Sequence, residues 1–181
     1  MTDIYSSDTL LDKCDFKDAA DMSDTEFSPS DVAFMRRAME LALEAEKIDE
    51  VPVGALIVKD GLIIAEAFNT RESSKCATHH AEILAIERAC RALGGWRLPG
   101  TTLYVTMEPC AMCAGAIVNA RIPRVVYGAP DLRFGAFGSL LDLAKLPLNH
   151  TPEVVGGVLS SENVEILQKY FKAKRESKGS K

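Results

Sequence analysis

The part of the sequence that most limits the fold is residues 51–69, where two runs of aliphatic and β-branched residues stand on either side of Asp60-Gly61. An Asp-Gly pair between two such runs is typical of a two-residue hairpin, because both central residues of that turn need positive φ. The sequence therefore predicts an antiparallel strand pair, and any helices must pack on the sheet to which this pair belongs.

The other periodic segments alternate between helix and strand. Helical spacing of apolar residues, with capping signals, predicts helices, and runs rich in β-branched residues predict strands. A strand followed by a helix and another strand implies parallel neighbours. We therefore predict an α/β fold of three layers, α/β/α, with a mixed five-stranded sheet. The predicted helices are 28–47, 79–93, 110–120 and 160–178, and the strands after the hairpin are 101–107, 123–129 and 153–158.

Composition limits the class of protein. The 181 residues are 47% hydrophobic and 26% charged, which is typical of one soluble globular domain. We find no run of about 18 apolar residues and no secretory signal pattern, so no membrane association is expected. The five cysteines are an odd and unevenly spaced set, which indicates a reducing compartment and predicts a cytoplasmic protein.

Charge is distributed unevenly along the chain. The first 31 residues hold nine acidic side chains and two lysines, whereas the rest holds 17 acidic and 19 basic ones. We interpret residues 1–27 as an acidic extension predicted to be disordered, 28–176 as the folded domain and 177–181 as a basic tail. Met22 lies in a stretch that resembles a start, so residues 1–21 are expected to be dispensable.

Four residues form a candidate metal centre. Cys110 and Cys113 are spaced i, i+3 at the start of a predicted helix, where the helix dipole favours thiolates. His80 and Glu82 open another predicted helix, and they can approach one ion only if it lies ahead of the first turn. If the two helix starts face each other, one histidine and two cysteines would make a three-ligand zinc site with a position left for water, as in catalytic zinc centres.

Blander interpretations of these residues stay open at this point. The two cysteines could be small buried hydrophobes, and His80 a structural residue at a helix start. A structural zinc ribbon would need a fourth ligand from Cys76, Cys90 or His150. His79, next to His80, leaves the identity of the ligand imidazole unsettled by spacing alone.

The pattern H-A-E, followed by P-C-x-x-C, resembles the zinc-dependent nucleoside and nucleobase deaminase superfamily. The meaning of this signature comes from the known chemistry of base-flipping deaminases. Longer phrases, covering residues 28–176, resemble the bacterial tRNA-specific adenosine deaminases. They include EVPVGALIV, HAEILAI, TLYVTMEPCAMCAGAIVNARIPRVVYGA, GSLLDL and LNH.

The resemblance implies a cytidine deaminase-like fold and hydrolytic conversion of adenosine to inosine at the wobble position, 34, of tRNA. One zinc ion per subunit, held by His80, Cys110 and Cys113, would activate a hydroxide for attack on adenine C6, with Glu82 as proton shuttle. It also implies a homodimer that binds the anticodon stem-loop.

Six further residues are candidate RNA contacts by the same resemblance. Asn69 would hydrogen-bond the flipped base, although an Asn before a polar loop is also a common turn residue. Asp131 would contact a neighbouring ribose, although it follows Pro130 and suits a turn. Arg133 is a further basic candidate. The last three candidates are also basic and could equally complement the C-terminus of the last helix; they are Lys172, Lys174 and Arg175.

Two other functions remain possible from the sequence. A zinc deaminase of a free nucleobase or nucleoside, such as guanine, cytosine or cytidine, would share the fold, the metal and Glu82. A non-catalytic, zinc-stabilised RNA-binding subunit could dispense with a carboxylate beside the metal, which disfavours it here.

Overall fold

The computed structural model describes residues 27–178. The predictions for the acidic extension before residue 27, for Met22 and for the end of the basic tail lie outside these residues, and the domain boundaries stay predictions. The helices are α1 (Pro29–Lys47), α2 (Ala81–Leu93), α3 (Ala111–Asn119) and α4 (Ser160–Lys178), and the strands are β1 (Gly54–Lys59), β2 (Leu62–Phe68), β3 (Thr101–Met107), β4 (Arg124–Ala129) and β5 (Glu153–Gly156).

The five strands form one mixed sheet in the order β2-β1-β3-β4-β5. β1 is antiparallel to both β2 and β3, whereas β3, β4 and β5 are parallel. The β1–β2 turn is the predicted hairpin, since Asp60 and Gly61 have φ values of 51° and 75° and Lys59 pairs with Leu62. The mixed five-stranded sheet with its four helices confirms the predicted fold class.

Alternating strand side chains divide the core into two layers. Ala55 and Ile57 of β1 belong to the layer that α2 and α3 cover, whereas Leu56 and Val58 face α1. α4 packs on the α1 side, where Val164 and Leu167 meet Ala129 of β4. Two helices therefore cover each face of the sheet, which explains why central strand residues are apolar on both sides.

The strand directions place three chain exits at one edge of the sheet. β2, β3 and β4 all run the same way, because β1 is antiparallel to both of its neighbours. Their carboxyl ends therefore lead to Asn69, to Glu108 and to the segment after Ala129 at the same edge. In open α/β sheets this is the edge where ligands bind.

No helix within residues 27–178 combines the length and apolar character that crossing a membrane requires.

A buried ion pair fastens α1 to the sheet. Ser28 caps α1 by accepting a hydrogen bond of 3.1 Å from the backbone N–H of Asp31. The Asp31 carboxylate accepts two hydrogen bonds from Arg124, at 2.8 and 2.9 Å, and one from the Tyr104 hydroxyl at 2.8 Å. The Arg124 hydrogen bonds lower the pKa of Asp31, which favours its charged form in the folded state.

We predict that Asp31→Ala lowers the free energy of unfolding by about 3 kcal/mol, because it leaves Arg124 without its buried partner. Urea denaturation at pH 7 measures this change. The matched control is Glu153→Ala, which removes the exposed carboxylate 3.4 Å from Arg124; it should cost less than about 1 kcal/mol. Equal losses in the two variants would contradict the assignment.

The contribution of the Asp31–Arg124 pair to the free energy of unfolding depends on pH. Because the pKa of Asp31 is lowered on folding, its stabilisation is complete above the unfolded pKa of about 3.9 and is lost as the pH falls through the lower folded value. The stability difference between the wild type and Asp31→Ala should therefore shrink in that acid range.

Candidate active site

The predicted helix starts meet at the carboxyl edge of the sheet. His80 is the N-cap residue of α2 and Cys110 the N-cap residue of α3, yet neither side chain makes a capping hydrogen bond. N-cap positions normally hold Ser, Thr, Asp or Asn, whose oxygen satisfies the first helical N–H groups. Here both side chains instead turn towards each other across the gap between the helices.

The three predicted ligand residues form one cluster. The His80 Nδ1 atom lies 3.8 Å from Cys110 Sγ and 3.6 Å from Cys113 Sγ. The ligand atoms all lie within 4.8 Å of one another, and the described part of the chain contains no other group of three or more His, Cys, Asp or Glu placed to share a metal ion.

The spacing of these donor atoms fits a zinc ion. Zinc binds thiolate sulfur at about 2.3 Å and imidazole nitrogen at about 2.0–2.1 Å, so a tetrahedral centre separates nitrogen from sulfur by roughly 3.5 Å. The observed 3.6 and 3.8 Å agree with this value. A donor set of one nitrogen and two sulfurs also favours zinc, whereas magnesium and calcium prefer oxygen ligands.

The two thiols shift each other's pKa in opposite directions. The hydrogen bond from Cys113 lowers the pKa of the Cys110 thiol to about 4, and the same contact together with burial raises the pKa of Cys113. The hydrogen bond to Cys110 raises the pKa of the His80 imidazole. The sequence predicts lowered thiol pKa values from the helix dipole; of the two thiols only Cys110 has a lowered pKa, and its main cause is the hydrogen bond from Cys113.

Glu82 is the carboxylic acid of the cluster. It lies in the first turn of α2, is only 4% exposed, and hydrogen-bonds with Cys113. Burial raises the pKa of Glu82, since removal from water disfavours the carboxylate. The carboxyl group is thus buried beside the donor atoms, which is where a general acid–base of a metal-assisted reaction would lie.

A cleft of about 400 Å³ opens in front of these groups. Its size suits a small organic group such as a nucleoside. Side chains from every element at this edge contribute to its wall; the lining residues are Val51, Val53, Asn69, Arg71, His80, Ala81, Glu82, Met107, Glu108, Cys110, Asp131, Arg133, Phe134 and Phe171.

Asn69 lines the cleft and is held by a buried carboxylate that the sequence analysis missed. Its Nδ2 atom donates a hydrogen bond of 3.0 Å to Glu50, which is 0% exposed. Glu50 also accepts hydrogen bonds from the backbone N–H groups of Glu72 and Ser73, at 3.2 and 2.6 Å. Because a carboxylate only accepts, it fixes which side of the Asn69 amide faces it.

Asp131 and Arg133 lie on the opposite wall, on a loop organised by a second missed carboxylate. Glu108, 3% exposed, accepts hydrogen bonds from the backbone N–H groups of Asp131 (3.1 Å), Phe137 (2.9 Å) and Ser139 (3.1 Å), and it contacts the Ser139 hydroxyl. Asp131 in turn accepts hydrogen bonds from the backbone N–H groups of residues 133 and 134, so it combines a turn role with a position in the cleft.

The basic candidates on α4 lie away from the cleft wall. Lys172 and Arg175 are exposed, and Lys174 makes an ion pair with Asp49 at 2.5 Å. α4 reaches the cleft through Phe171. Lys174 is half-buried beside Asp49, so the exposed cations of this set are Lys172 and Arg175.

The remaining histidines have other partners. The His79 Nδ1 atom contacts the Ser74 hydroxyl at 2.9 Å, and His150 Nε2 donates to the backbone oxygen of Ile122 at 2.7 Å. Of the histidines, His80 alone joins the cysteine pair, so the structure separates it from its neighbour His79.

Comparison with known proteins agrees with this geometry. The family model of the MafB19-like deaminases matches residues 29–175. A tRNA-specific adenosine deaminase of Bacillus subtilis (strain 168) is 48% identical over 149 residues, which span 82% of this chain and 92% of that protein.

Two solved structures extend the comparison. One, from a study of A-to-I editing by tRNA:A34 deaminases at the wobble position of transfer RNA, is 48% identical with a TM-score of 0.73, covering 75% of this chain and 99% of that one. A guanine deaminase from Bacillus subtilis is 36% identical with a TM-score of 0.53, covering 65% and 85%. The chain belongs to the MafB19-like deaminase family and, within it, to the group of tRNA-specific adenosine deaminases.

Proposed function

We propose that the protein converts adenosine to inosine by hydrolytic deamination at the wobble position, 34, of tRNA. The observation that carries the proposal is the cluster of His80, Cys110 and Cys113 beside buried Glu82, in a cleft that could hold a flipped base. The proposed substrate, tRNA, follows from the membership of this chain in the tRNA-specific adenosine deaminases.

His80, Cys110 and Cys113 would hold one zinc ion per subunit, since their donor atoms have the required type and spacing. When bound there, zinc supplies Lewis-acid activation that lowers the pKa of a water molecule to about 7 and so makes a nucleophile available at neutral pH.

Glu82 moves the protons of the reaction. It takes a proton from the attacking water and delivers it to adenine N1 while the water oxygen bonds to C6. It then carries the remaining hydroxyl proton to the amino nitrogen, the C6–N bond breaks, and ammonia leaves inosine behind. General acid–base catalysis of this kind contributes roughly 10²- to 10⁴-fold.

The walls of the cleft would orient the nucleotide. Asn69, with one amide N–H held by Glu50, offers its remaining amide groups to the flipped base. Asp131 would contact a neighbouring ribose, and Arg133 a phosphate. Lys172, Lys174 and Arg175 of α4 would attract the stem-loop backbone, which predicts salt-dependent binding.

A homodimer is part of the proposal. The segment 140–148 carries four leucines that the single chain leaves exposed, and a concentration of exposed apolar residues in one segment favours an interaction surface. They are Leu140, Leu141, Leu146 and Leu148. A cytoplasmic location is proposed from the free cysteines of the described residues, Cys76, Cys90, Cys110 and Cys113.

We predict that Glu82→Gln retains the metal and loses at least about 10²-fold in turnover, because the amide cannot carry the proton. Inosine formation in an anticodon stem-loop and zinc content per chain measure the two effects. In the control, Cys113→Ala, zinc content itself should fall. Full activity of Glu82→Gln would reject the assigned role, and a zinc-bound wild type that releases no ammonia would favour the non-catalytic alternative.

The substrate class has its own test. We expect the wild type to form inosine at position 34 of a stem-loop and to release no ammonia from guanine, cytosine or cytidine. Such a result would separate it from free-base deaminases such as the guanine deaminase of similar fold. Rapid turnover of a free base, with none of the stem-loop, would overturn the tRNA proposal.

The dimer is tested by sedimentation. We expect the wild type to sediment as a dimer and Leu140→Glu/Leu146→Glu to shift towards monomer, because buried charges without partners disfavour an interface. Leu62→Glu changes an even more exposed leucine, on β2, and serves as the control. A monomeric wild type, or the same shift in the control, would argue against this surface.

A further inference from the structure

We propose that Phe134, with Arg133 beside it, forms a stacking platform for the base next to the flipped adenosine. This inference rests on the proposed function and adds a substrate contact that holds the RNA strand on one side of the target nucleotide. The platform consists of these two residues only.

The position of the ring next to the cleft is the first argument. Phe134 lines the cleft together with His80 and Glu82. The residue after it, Gly135, forms a β-bridge with Cys110, so the backbone carrying the ring is paired directly with a predicted metal ligand. A base flipped towards the metal cluster would therefore leave its neighbour at the mouth of the cleft, where the ring lies.

The exposure of the ring is the second argument. Phe134 is 59% exposed, whereas Ala136 and Phe137 in the same loop are buried. Leu132 is almost as exposed, at 57%, but does not line the cleft. An apolar ring that faces both water and a ligand cleft has area available for a flat partner, and every nucleobase presents such a face.

The rigidity of the loop is the third argument. The backbone N–H of Phe134 donates to Asp131 Oδ1 at 3.2 Å, and that of Gly135 donates to the Asp131 carbonyl oxygen at 2.8 Å. Glu108 accepts a hydrogen bond from the backbone N–H of Asp131. Gly135 packs directly on Glu108, since a Cβ there would lie 2.4 Å from the Glu108 carboxylate. The backbone that carries the ring is thus fixed before RNA arrives, so that less ordering entropy is lost on binding.

Charge complements the ring. The guanidinium carbon of Arg133 lies 5.7 Å from the centre of the Phe134 ring, within the range of a cation–π contact. A base stacked here would bring its phosphate close to a positive charge. Because stacking depends on the π-face and not on the base edge, the platform should raise affinity with little preference for base identity.

The decisive experiment is a cycle between the protein and the RNA. Inosine formation is measured for wild type, Phe134→Ala, Phe134→Tyr and the matched control Leu132→Ala, on stem-loops with either an intact or an abasic nucleotide on each side of the target adenosine. Zinc content and circular dichroism of each variant establish that it is folded.

We expect Phe134→Ala to raise KM roughly 5- to 100-fold on the intact stem-loop with little change in kcat, and we expect Phe134→Tyr and Leu132→Ala to behave as wild type. One abasic position should weaken the wild type by a similar factor and leave Phe134→Ala unchanged, because both changes remove the same contact.

Other outcomes overturn the platform. If both abasic stem-loops weaken wild type and Phe134→Ala equally, the ring does not stack on either neighbour while the proposed activity still stands. If Phe134→Ala converts a dimer to a monomer by sedimentation, the ring belongs to a subunit interface and not to RNA. A wild type inactive on every stem-loop rejects the activity and the platform together.

Discussion

The site of this protein depends on the close approach of two helix N-termini, those of α2 and α3. His80 and Cys110 are the N-cap residues of α2 and α3, and neither side chain makes the capping hydrogen bond that is usual at that position. Both side chains face the other helix start, where the positive ends of two helix dipoles favour anionic sulfur. The sheet makes this arrangement possible because β2 and β3 deliver the chain to the same edge. The cluster of His80, Cys110 and Cys113 is thereby mounted at the starts of helices.

Two buried carboxylates then shape the surroundings of the cluster. Glu50 holds one wall through Asn69 and the following turn, and Glu108 holds the other through Asp131 and the loop beyond it. A buried carboxylate is costly unless its oxygens are satisfied. Backbone N–H groups satisfy both residues here, so each offsets its desolvation cost by fixing a loop. The cleft walls are therefore set by main-chain geometry.

Sequence analysis predicted the hairpin, the mixed sheet and the four helices because their signals are local. Asp60-Gly61 marks the turn between two neighbouring strands, and the apolar periodicity of each helix or strand lies within that element. The burial of Glu50 and Glu108 was not predicted. Whether a charged residue is buried depends on backbone that is distant in the chain, and a short stretch of sequence does not contain that information. The pairing of Lys174 with Asp49 likewise joins positions that are far apart in the chain. The adjacency of Glu108 to the P-C-x-x-C pattern was the one available signal.

The hydrogen bonds that Glu108 accepts from the loop after β4 separate the path of that loop from most of its side chains. Glu108 binds main-chain amides and one hydroxyl, and it needs a residue without a side chain only at Gly135. The side chains at 132, 133 and 134 can therefore be exchanged during evolution while the path of the loop is inherited unchanged. Proteins that share this loop can therefore differ in the side chains that it presents and still keep the same backbone path.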